Sequence, residues 1–237
     1  MQSKSTIEEI RARFDCDVER FSDLETGQKA IMDAPVLMES ITAAAVAVCP
    51  NMKQVLDIGC GAGNNTLKLL HKKSPLECHL VDLSFPMLER AKERIEAMNS
   101  GPVQIYHGDI RSINLPENRF DVIFAAAVFH HLREDADWEA VFRKVFRVTA
   151  PGGSVWITDM VTHEHDAIHA QMWKRYGDYL VNLGGESVKE LVFEVVEKED
   201  SPRPVTYQME LLRRVGFSKV DILYKKGCFA AFGGVKE

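Results

Sequence analysis

The 237-residue sequence has few cysteines, and no two of them stand in C-x-x-C spacing. The five cysteines are scattered along the chain, at positions 16, 49, 60, 78 and 228. An odd number of isolated cysteines argues against a disulfide framework and against the common zinc-binding patterns. We therefore expect reduced thiols that are buried as small apolar side chains.

Long apolar runs and an excess of basic residues are also missing. The most apolar run, Ile41 to Val48, is too short to span a bilayer, and the charged N-terminus lacks the apolar core of a signal peptide. A formal net charge of −6 is not typical of a dedicated nucleic-acid-binding protein. These absences predict a cytoplasmic location, with neither a membrane nor a nucleic acid as partner.

What the sequence contains is enough apolar material for one sizeable domain. Hydrophobic residues make up 46% of the chain and charged residues 27%, as in globular domains that bury a full core. Short apolar segments alternate with amphipathic ones as far as residue 160. This alternation predicts βαβ units, and hence an α/β fold with a Rossmann-like, doubly wound sheet of about seven strands and helices on both faces. Before the alternation begins, Asp33-Ala34-Pro35 predicts a helix start with Asp33 as its N-cap.

The end of the chain predicts one departure from parallel pairing. Two apolar segments, Val220 to Lys225 and Phe229 to Phe232, are separated by only a few residues. A parallel pair needs a crossover of a dozen or more residues, so strands this close must pair in an antiparallel manner. We therefore expect the last strand of the sheet to be antiparallel.

Two helical segments fall outside the alternation. Residues 1–34 carry Phe14, Val18 and Phe21 at helical spacing, which gives an apolar face for docking on the main domain or for covering a pocket as a lid. Residues 162–200 are predicted to form a helical insertion over the carboxyl edge of the sheet. The predicted organisation is an N-terminal helical segment, 1–34, followed by a ligand-binding domain, 35–237, that contains the insertion.

A glycine-rich turn follows the first predicted strand. After a short strand with the apolar residues Val55, Leu56 and Ile58 come three glycines, and an amphipathic helix starts at once. The glycines are Gly59, Gly61 and Gly63. Strand, glycine turn and helix in this order place free helix N–H groups beside a ligand. A dinucleotide fingerprint begun at Gly59 would need a glycine at position 64, where the chain has Asn64.

Three acidic residues follow three successive predicted strands. Asp57 precedes the glycine turn, Asp82 ends the second strand and Asp109 follows the third. Asp57 is unsuited to a pyrophosphate and suits a ligand with an ammonium group, whereas Asp82 is placed for a pair of ribose hydroxyls and Asp109 for an adenine amino group. Each acid alone is equally typical of a residue that caps a turn or helix; the ordered set favours a ligand.

These segments resemble a known family. The stretches V-L-D-I-G-C-G-A-G-N-N-T, V-D-L-S-F-P-M-L-E-R-A and H-G-D-I, and the P-G-G before the fifth strand, are similar in this order to the motifs of class I S-adenosylmethionine-dependent methyltransferases. The resemblance covers about residues 35–160, and it implies S-adenosyl-L-methionine as the cofactor. The residues that it places at the cofactor, with the last glycine of the turn, are Asp57, Gly59, Cys60, Gly61, Gly63, Asp82, Leu83, Asp109, Ile110, Ala125 and Ala126.

The C-terminal half is similar to the carboxy-S-adenosylmethionine synthases that serve tRNA wobble-uridine modification. In those proteins an arginine of the insertion pairs with the extra carboxylate of the cofactor. This sequence has no arginine between Arg175 and Arg203, and the lysines Lys189 and Lys198 lack bidentate geometry. The sequence therefore favours a methyltransferase acting on a small-molecule acceptor; the alternatives are such a synthase, a cofactor-binding module without turnover and, last, an NAD-dependent oxidoreductase.

Two adjacent histidines, His130 and His131, follow the fourth predicted strand. Methyl transfer is an in-line displacement that needs alignment, a dry pocket and in some cases a base, and histidine is a suitable base near neutral pH. His130 and His131 are therefore the candidate catalytic residues. The alternative is that one of them caps the next helix or packs under the sheet edge.

The insertion carries further histidines and aromatic residues. His165 and His169 lie one helical turn apart, but no carboxylate spacing makes them a specific metal site, and the sequence predicts no metal. Trp173, Tyr176 and Tyr179 are expected to serve as core or cover, or else as a wall for a flat or cationic acceptor. The sequence is compatible with a homodimer.

Overall fold

The structure is a computed structural model that describes residues 4–23, 27–98 and 101–237. Seven strands form one sheet in the order β3-β2-β1-β4-β5-β7-β6. Strands β1 to β5 pair in parallel, and β7 is antiparallel to both β5 and β6. The strands are β1 Gln54–Ile58, β2 Glu77–Asp82, β3 Val103–His107, β4 Phe120–Ala126, β5 Thr149–Met160, β6 Ser218–Lys226 and β7 Phe229–Val235. The predicted doubly wound sheet with an antiparallel last strand is confirmed.

Nine α-helices and one short 3-10 turn connect these strands in the described part of the chain. The turn spans Phe129–His131, directly after β4. The helices are α1 Ile7–Cys16, α2 Val18–Ser22, α3 Ala34–Val48, α4 Asn64–Leu70, α5 Phe85–Glu96, α6 Asp135–Val148, α7 Asp166–Gly184, α8 Glu186–Glu199 and α9 Val205–Val215. The predicted insertion 162–200 thus consists largely of α7 and α8. In the predicted N-terminal segment, residues 1–3 and 24–26 lie outside the described residues.

Two apolar cores lie on opposite faces of the sheet. Helices α3, α4 and α5 contribute Leu37, Leu69 and Ile95 to one core, whereas α6 and α9 contribute Trp138 and Leu211 to the other. The strands supply both cores because successive side chains of a strand point to opposite faces. Helices on both faces leave only the two ends of the parallel strands open, and the carboxyl end carries the candidate site.

Helices α3 and α5 both have a proline in the first turn, but only α5 begins with a side-chain cap. The Ser84 hydroxyl accepts a hydrogen bond from the Met87 backbone N–H, and a proline occupies the first turn of α5. Helix α3 begins at Ala34 with Asp33 at its N-cap position, as predicted, but the Asp33 side chain does not cap it. Asp33 has a left-handed backbone and makes no capping hydrogen bond, because its carboxylate binds the Lys226 ammonium at 2.7 Å and the Tyr224 hydroxyl.

None of the helices described between residues 4 and 237 is long and apolar enough to cross a membrane. The cytoplasmic location inferred from the sequence stays a prediction.

Trp138 supports the turn that carries His130 and His131. Its indole N–H donates to the Leu132 carbonyl oxygen at 3.0 Å, and its ring packs edge-on against Phe129. Trp138 has no exposed surface. The position of the two imidazoles therefore depends on the packing of α6 under this turn.

We expect Trp138→Ala to lower the free energy of unfolding by about 3–5 kcal/mol, because it leaves a large cavity in the core. Urea denaturation measures this change. The matched control is Trp173→Ala, which removes the same side chain from a half-buried position on α7. An equal or smaller loss of stability in Trp138→Ala than in the control would contradict this role.

Candidate functional site

The glycine turn lies between β1 and α4, at the carboxyl edge of the sheet. The Gly59 and Cys60 N–H groups donate to the Val81 carbonyl oxygen at 2.8 and 3.1 Å, which fixes the turn against β2. Gly59 has a φ of +65°, and a Cβ there would lie 2.7 Å from the Val128 side chain. Glycine is therefore required by both backbone conformation and space.

Asp82, at the end of β2, holds the same turn from the other side. Its carboxylate accepts hydrogen bonds from the Gly61 N–H at 2.8 Å and from the Ser84 N–H at 2.9 Å. Burial raises the pKa of Asp82 to about 6, against the lowering effect of these hydrogen bonds. Asp82 thus links the glycine turn to the loop that starts α5.

A small cavity of about 120 Å³ opens beside this turn. Six of the predicted cofactor residues line it together: Gly59, Cys60, Gly61, Asp82, Leu83 and Ala126. The other lining residues are Ala62 of the glycine turn, Ala127 after β4, and residues of the first turn of α4, of α5 and of the N-terminal segment. Predicted cofactor residues at the ends of β1, β2 and β4 thus lie around one space, whereas Asp109 after β3 does not, and their contact with the cofactor stays a prediction.

Asp57 lies beneath this cavity rather than in its lining. Its side chain has no exposed surface; one oxygen accepts the Thr66 hydroxyl at 2.8 Å, and Oδ1 has no hydrogen-bond partner. Burial raises the pKa of Asp57 to about 7. A carboxyl with an unused buried oxygen suits a nearby positive charge, but its contact with the cofactor stays a prediction.

The remaining predicted cofactor residues lie in three different places. Asp109 and Ile110 line a separate cavity of about 140 Å³, which Leu83 also borders. Gly63 caps α4, and Ala125 is fully buried within β4. Burial would raise the pKa of Asp109, but hydrogen bonds from the Arg111 guanidinium outweigh it and hold the pKa below its usual value. Arg111 therefore occupies the carboxylate that was predicted to receive an adenine amino group.

A second, larger cavity of about 520 Å³ adjoins the small one. Its floor is formed by the ends of β4 and β5, its roof by α1, α2 and α8. Most of its lining is apolar, including Phe14, Phe21, Ile31, Leu37, Met160, Tyr176, Val192, Val195, Val196 and Phe229. Four residues line both cavities: Phe14, Phe21, Ile31 and Ala127.

Ala127 stands at this junction in an unusual backbone conformation. Its φ is +54°, which is rare for a residue with a Cβ, and its N–H donates to the Thr158 carbonyl oxygen at 2.7 Å. Strain of this kind costs of the order of 1–3 kcal/mol and is typical of functional sites. The chain thus turns sharply between Ala126, a predicted cofactor residue, and the histidine turn.

His130 and His131 form the polar end of the larger cavity, together with two carboxylates that sequence reasoning missed. The His130 Nδ1 donates to Asp159, whose other oxygen accepts the His130 backbone N–H at 3.1 Å. Asp200 approaches from the end of α8, with its Oδ1 3.7 Å from the His130 Nε2 and 3.2 Å from the His131 Nδ1. Burial lowers the pKa of His130, but Asp200 and Asp159 outweigh it and raise the value to about 9.

The N-terminal helices are tied to the insertion across this cavity. The Arg13 guanidinium donates from Nε to Glu199 at 2.9 Å and from a terminal nitrogen to its other oxygen, and Glu199 is buried. The Asn64 side chain donates to the Phe21 carbonyl oxygen at 2.9 Å. Phe14 and Phe21, whose helical spacing indicated a docking face, therefore line both cavities from above.

The other histidines and aromatic residues of the insertion lie at its surface or pack against neighbours. The His165 Nδ1 accepts from the Ala167 N–H at 3.2 Å, so His165 caps α7. The Trp173 ring stacks on Phe193 at 4.8 Å between centroids, as expected for cover. Of the aromatic trio, Tyr176 lines the larger cavity; its hydroxyl donates to the Ala30 carbonyl oxygen at 3.0 Å.

The fold and the glycine turn are those of Rossmann-like proteins that bind a nucleotide-containing cofactor. Comparison with known proteins indicates which cofactor this is. Residues 55–153 match the family model described as a methyltransferase domain. The chain is 28% identical over 196 residues to a carboxy-S-adenosyl-L-methionine synthase of Klebsiella pneumoniae, covering 80% of this chain and 76% of that protein. A malonyl-[acyl-carrier protein] O-methyltransferase of Halorhodospira halophila is 29% identical, and a demethylmenaquinone methyltransferase of Lactococcus lactis is 28% identical; this chain spans 53% and 66% of their lengths.

Solved structures show the same fold at low sequence identity. The DhpI–SAH complex gives a TM-score of 0.63 at 17% identity, with 97% of each chain covered. Human N-acetylserotonin methyltransferase in complex with SAM gives 0.64 at 16% identity, covering 99% of this chain and 63% of that one. Together, the matched domain and these relatives support a class I S-adenosylmethionine-dependent methyltransferase, with S-adenosylmethionine as its cofactor.

Asp57→Asn tests the buried carboxyl. Because the pKa is raised from 3.8 to about 7, the folded state binds an extra proton, so wild-type stability falls as the pH rises through this window. The Asp57→Asn variant can still accept a hydrogen bond from Thr66 but does not titrate. Between about pH 4 and about pH 8 we therefore expect its free energy of unfolding to fall by a few kcal/mol less than that of the wild type. Urea denaturation at the two pH values measures this difference, and Asp178→Asn on the exposed surface is the control. If the stability of Asp57→Asn depended on pH as strongly as that of the wild type, the raised pKa of Asp57 would be refuted.

Proposed function

We propose that this methyltransferase transfers the methyl group of S-adenosylmethionine to a neutral, largely apolar small molecule. The cofactor occupies the small cavity beside the glycine turn, and the acceptor occupies the larger one. The observation that carries this proposal is that the two cavities meet at Phe14, Phe21, Ile31 and Ala127. A methyl group at this junction is directed from one space into the other, as in-line displacement requires.

The charges around the larger cavity support a neutral acceptor. Its two arginines are already paired, Arg13 with Glu199 and Arg20 with Asp17. Their guanidinium groups also lie over the rings of Phe14 and Phe21, at 4.2 and 4.5 Å from the centroids. An anionic acceptor would have to break one of these pairs, and it would face the carboxylates of Asp159 and Asp200. A neutral aromatic or aliphatic molecule neither breaks an ion pair nor is repelled by these carboxylates.

The roof over the larger cavity supports transfer in a dry site. Helices α1, α2 and α8 cover the junction, and Arg13 and Glu199 fasten the N-terminal segment to the insertion. Exclusion of water prevents side reactions of a reactive cofactor and strengthens the electrostatic contacts at the nucleophile. The N-terminal segment thus acts as the lid that its apolar spacing indicates.

Cofactor binding is tested by calorimetric titration with S-adenosylhomocysteine and with NADH. We expect binding of S-adenosylhomocysteine alone, because Asn64 breaks the dinucleotide fingerprint. Asp82→Ala should weaken this binding by roughly 10- to 100-fold, since hydrogen bonds to a charged group contribute about 1.5–3 kcal/mol.

The matched control for Asp82→Ala is Asp178→Ala, which removes an exposed carboxylate of α7. Binding of NADH in place of S-adenosylhomocysteine would overturn the proposed occupancy of the small cavity. An unchanged affinity in a folded Asp82→Ala variant would remove Asp82 from the cofactor residues.

His130 and His131 are proposed to contact the nucleophilic group of the acceptor. With an acceptor found by screening neutral alcohols and phenols, we expect His130→Ala and His131→Ala to reduce turnover by roughly 100-fold or more. Affinity for S-adenosylhomocysteine should stay close to the wild-type value, because neither imidazole lines the small cavity. His165→Ala, which removes a histidine outside the larger cavity, is the control. Wild-type turnover in both test variants would contradict the proposed contact of the two histidines with the nucleophilic group.

A carboxy-S-adenosylmethionine synthase-like activity is the second candidate, favoured by the similarity to the Klebsiella synthase over 80% of this chain. Against it stands the lack of a free arginine at the described cavity lining, since Arg13 and Arg20 are both paired. Mass spectrometry of the nucleotide retained on purification separates the two: the synthase retains a carboxylated cofactor, whereas the proposed methyltransferase retains S-adenosylmethionine or S-adenosylhomocysteine.

A cofactor-binding module without turnover is the remaining alternative. The 520 Å³ cavity beside the cofactor space argues for a substrate, because a pure binding module has no need of a second ligand site. A broad acceptor screen that gives no methylated product, in protein that binds S-adenosylhomocysteine, would favour the module.

A further inference from the structure

The polar end of the larger cavity brings together two imidazoles and a carboxylate from distant parts of the chain. His130, His131 and Asp200 each present one ligand atom, and these atoms all lie within 4.8 Å of one another. The imidazoles come from the turn after β4 and the carboxylate from the end of α8. Because Asp200 is remote in sequence, the histidine pair alone gave no metal-binding signature.

Two of these ligand atoms form no hydrogen bond of good geometry and contact each other as an ion pair. Neither the His131 Nδ1 nor the Asp200 Oδ1 forms a hydrogen bond, although the two atoms are only 3.2 Å apart. Asp200 is 8% exposed, so water does not readily satisfy its oxygen. Buried polar atoms without partners are rare in folded proteins, and an ion between them removes the deficit.

A third carboxylate orients one of the imidazoles. The His130 Nδ1 donates to Asp159, which leaves the His130 Nε2 as the atom that faces Asp200. Histidines that bind metals almost always donate their other ring N–H to a carboxylate or carbonyl in this way. Asp159 is itself fixed by the backbone N–H groups of His130, at 3.1 Å, and Met160, at 2.8 Å.

From this arrangement we propose that His130 Nε2, His131 Nδ1 and Asp200 Oδ1 bind a divalent transition-metal ion whose open positions face the acceptor cavity. Two imidazole nitrogens and one carboxylate oxygen are the donor set of zinc and of non-haem iron(II) sites. Ligand atoms about 2.1 Å from one ion lie roughly 3–4 Å from one another, so the widest pair of the cluster, at up to 4.8 Å, needs to close by about 1–2 Å.

With the ion bound, the two imidazoles hold it instead of contacting the acceptor directly, and the ion supplies a Lewis acid at the position proposed for the nucleophile. An acceptor oxygen bound to it loses its proton more readily, because the cation stabilises the resulting anion. This consequence rests on the proposed function. Metal binding itself does not, since it is measured without acceptor or cofactor.

The test is a titration of tag-free, chelator-treated full-length protein with Co²⁺, followed by its visible absorption, and then displacement by Zn²⁺. We expect saturable Co²⁺ absorption that Zn²⁺ abolishes. His131→Ala and the isosteric Asp200→Asn should show no such absorption at the Co²⁺ concentration that saturates the wild type. Asp159→Asn should bind roughly 10- to 100-fold more weakly, because the imidazole loses its orienting carboxylate.

His71→Ala is the matched control, since His71 is an exposed histidine at the end of α4 and should leave Co²⁺ binding unchanged. Circular dichroism verifies that each variant is folded. Folded wild type without saturable absorption would overturn the proposal, as would wild-type affinity in folded Asp200→Asn. If the metal binds but no acceptor is ever methylated, the proposed function fails and the metal site stands.

Discussion

The parallel pairing of β1 with β2 on one side and with β4 on the other is the constraint on which the site depends. Strand order reverses at this point, because β2 and β3 lie on one side of β1 and β4 and β5 on the other. Loops after β1 and β4 therefore diverge and leave a crevice at their carboxyl ends. The glycine turn fills one side of this crevice, and Ala127 with the histidine turn fills the other.

Two helical segments far apart in sequence complete what the sheet leaves open. The N-terminal helices and α8 meet above the crevice, where Arg13 forms an ion pair with the buried Glu199. Removing one partner of such a pair would leave a buried charge uncompensated, so the contact specifies how the roof sits over the larger cavity. The same end of α8 brings Asp200 to the histidines. The end of α8 thus positions both the roof of the larger cavity and the cluster of Asp200 with the two histidines.

Much of the cofactor side of the site could be predicted from local sequence. Strand-end acids and a glycine turn are short-range patterns, and parallel pairing brings the ends of consecutive strands to one edge. The sequence pattern could not show which carboxylate oxygens already accept hydrogen bonds within the protein. Arg111 donates to Asp109, and Thr66 donates to Asp57, which is buried beneath the glycine turn. Such occupancy is decided by side-chain rotamers and burial, which spacing does not encode.

The larger cavity, where we propose that the acceptor binds, was far less predictable. Asp159 ends β5 and could have been found by the same strand-end rule that selected Asp57 and Asp82. Asp200 could not, because its place depends on how α7 and α8 fold back over the sheet. Asp33 shows the same limit at a smaller scale, since a lysine and a tyrosine of β6 bind the carboxylate that would otherwise cap α3. Long-range contacts of this kind override local preference.

A crystal structure with S-adenosylhomocysteine bound tests most directly whether the cofactor lies in the small cavity and faces the larger one. We expect the adenosine and amino-acid parts to lie along the glycine turn and Asp82, and the sulfur to lie at Ala127, facing the larger cavity. This placement would be contradicted by a nucleoside in the larger cavity, or by a sulfur directed away from Phe14, Ile31 and the histidine pair.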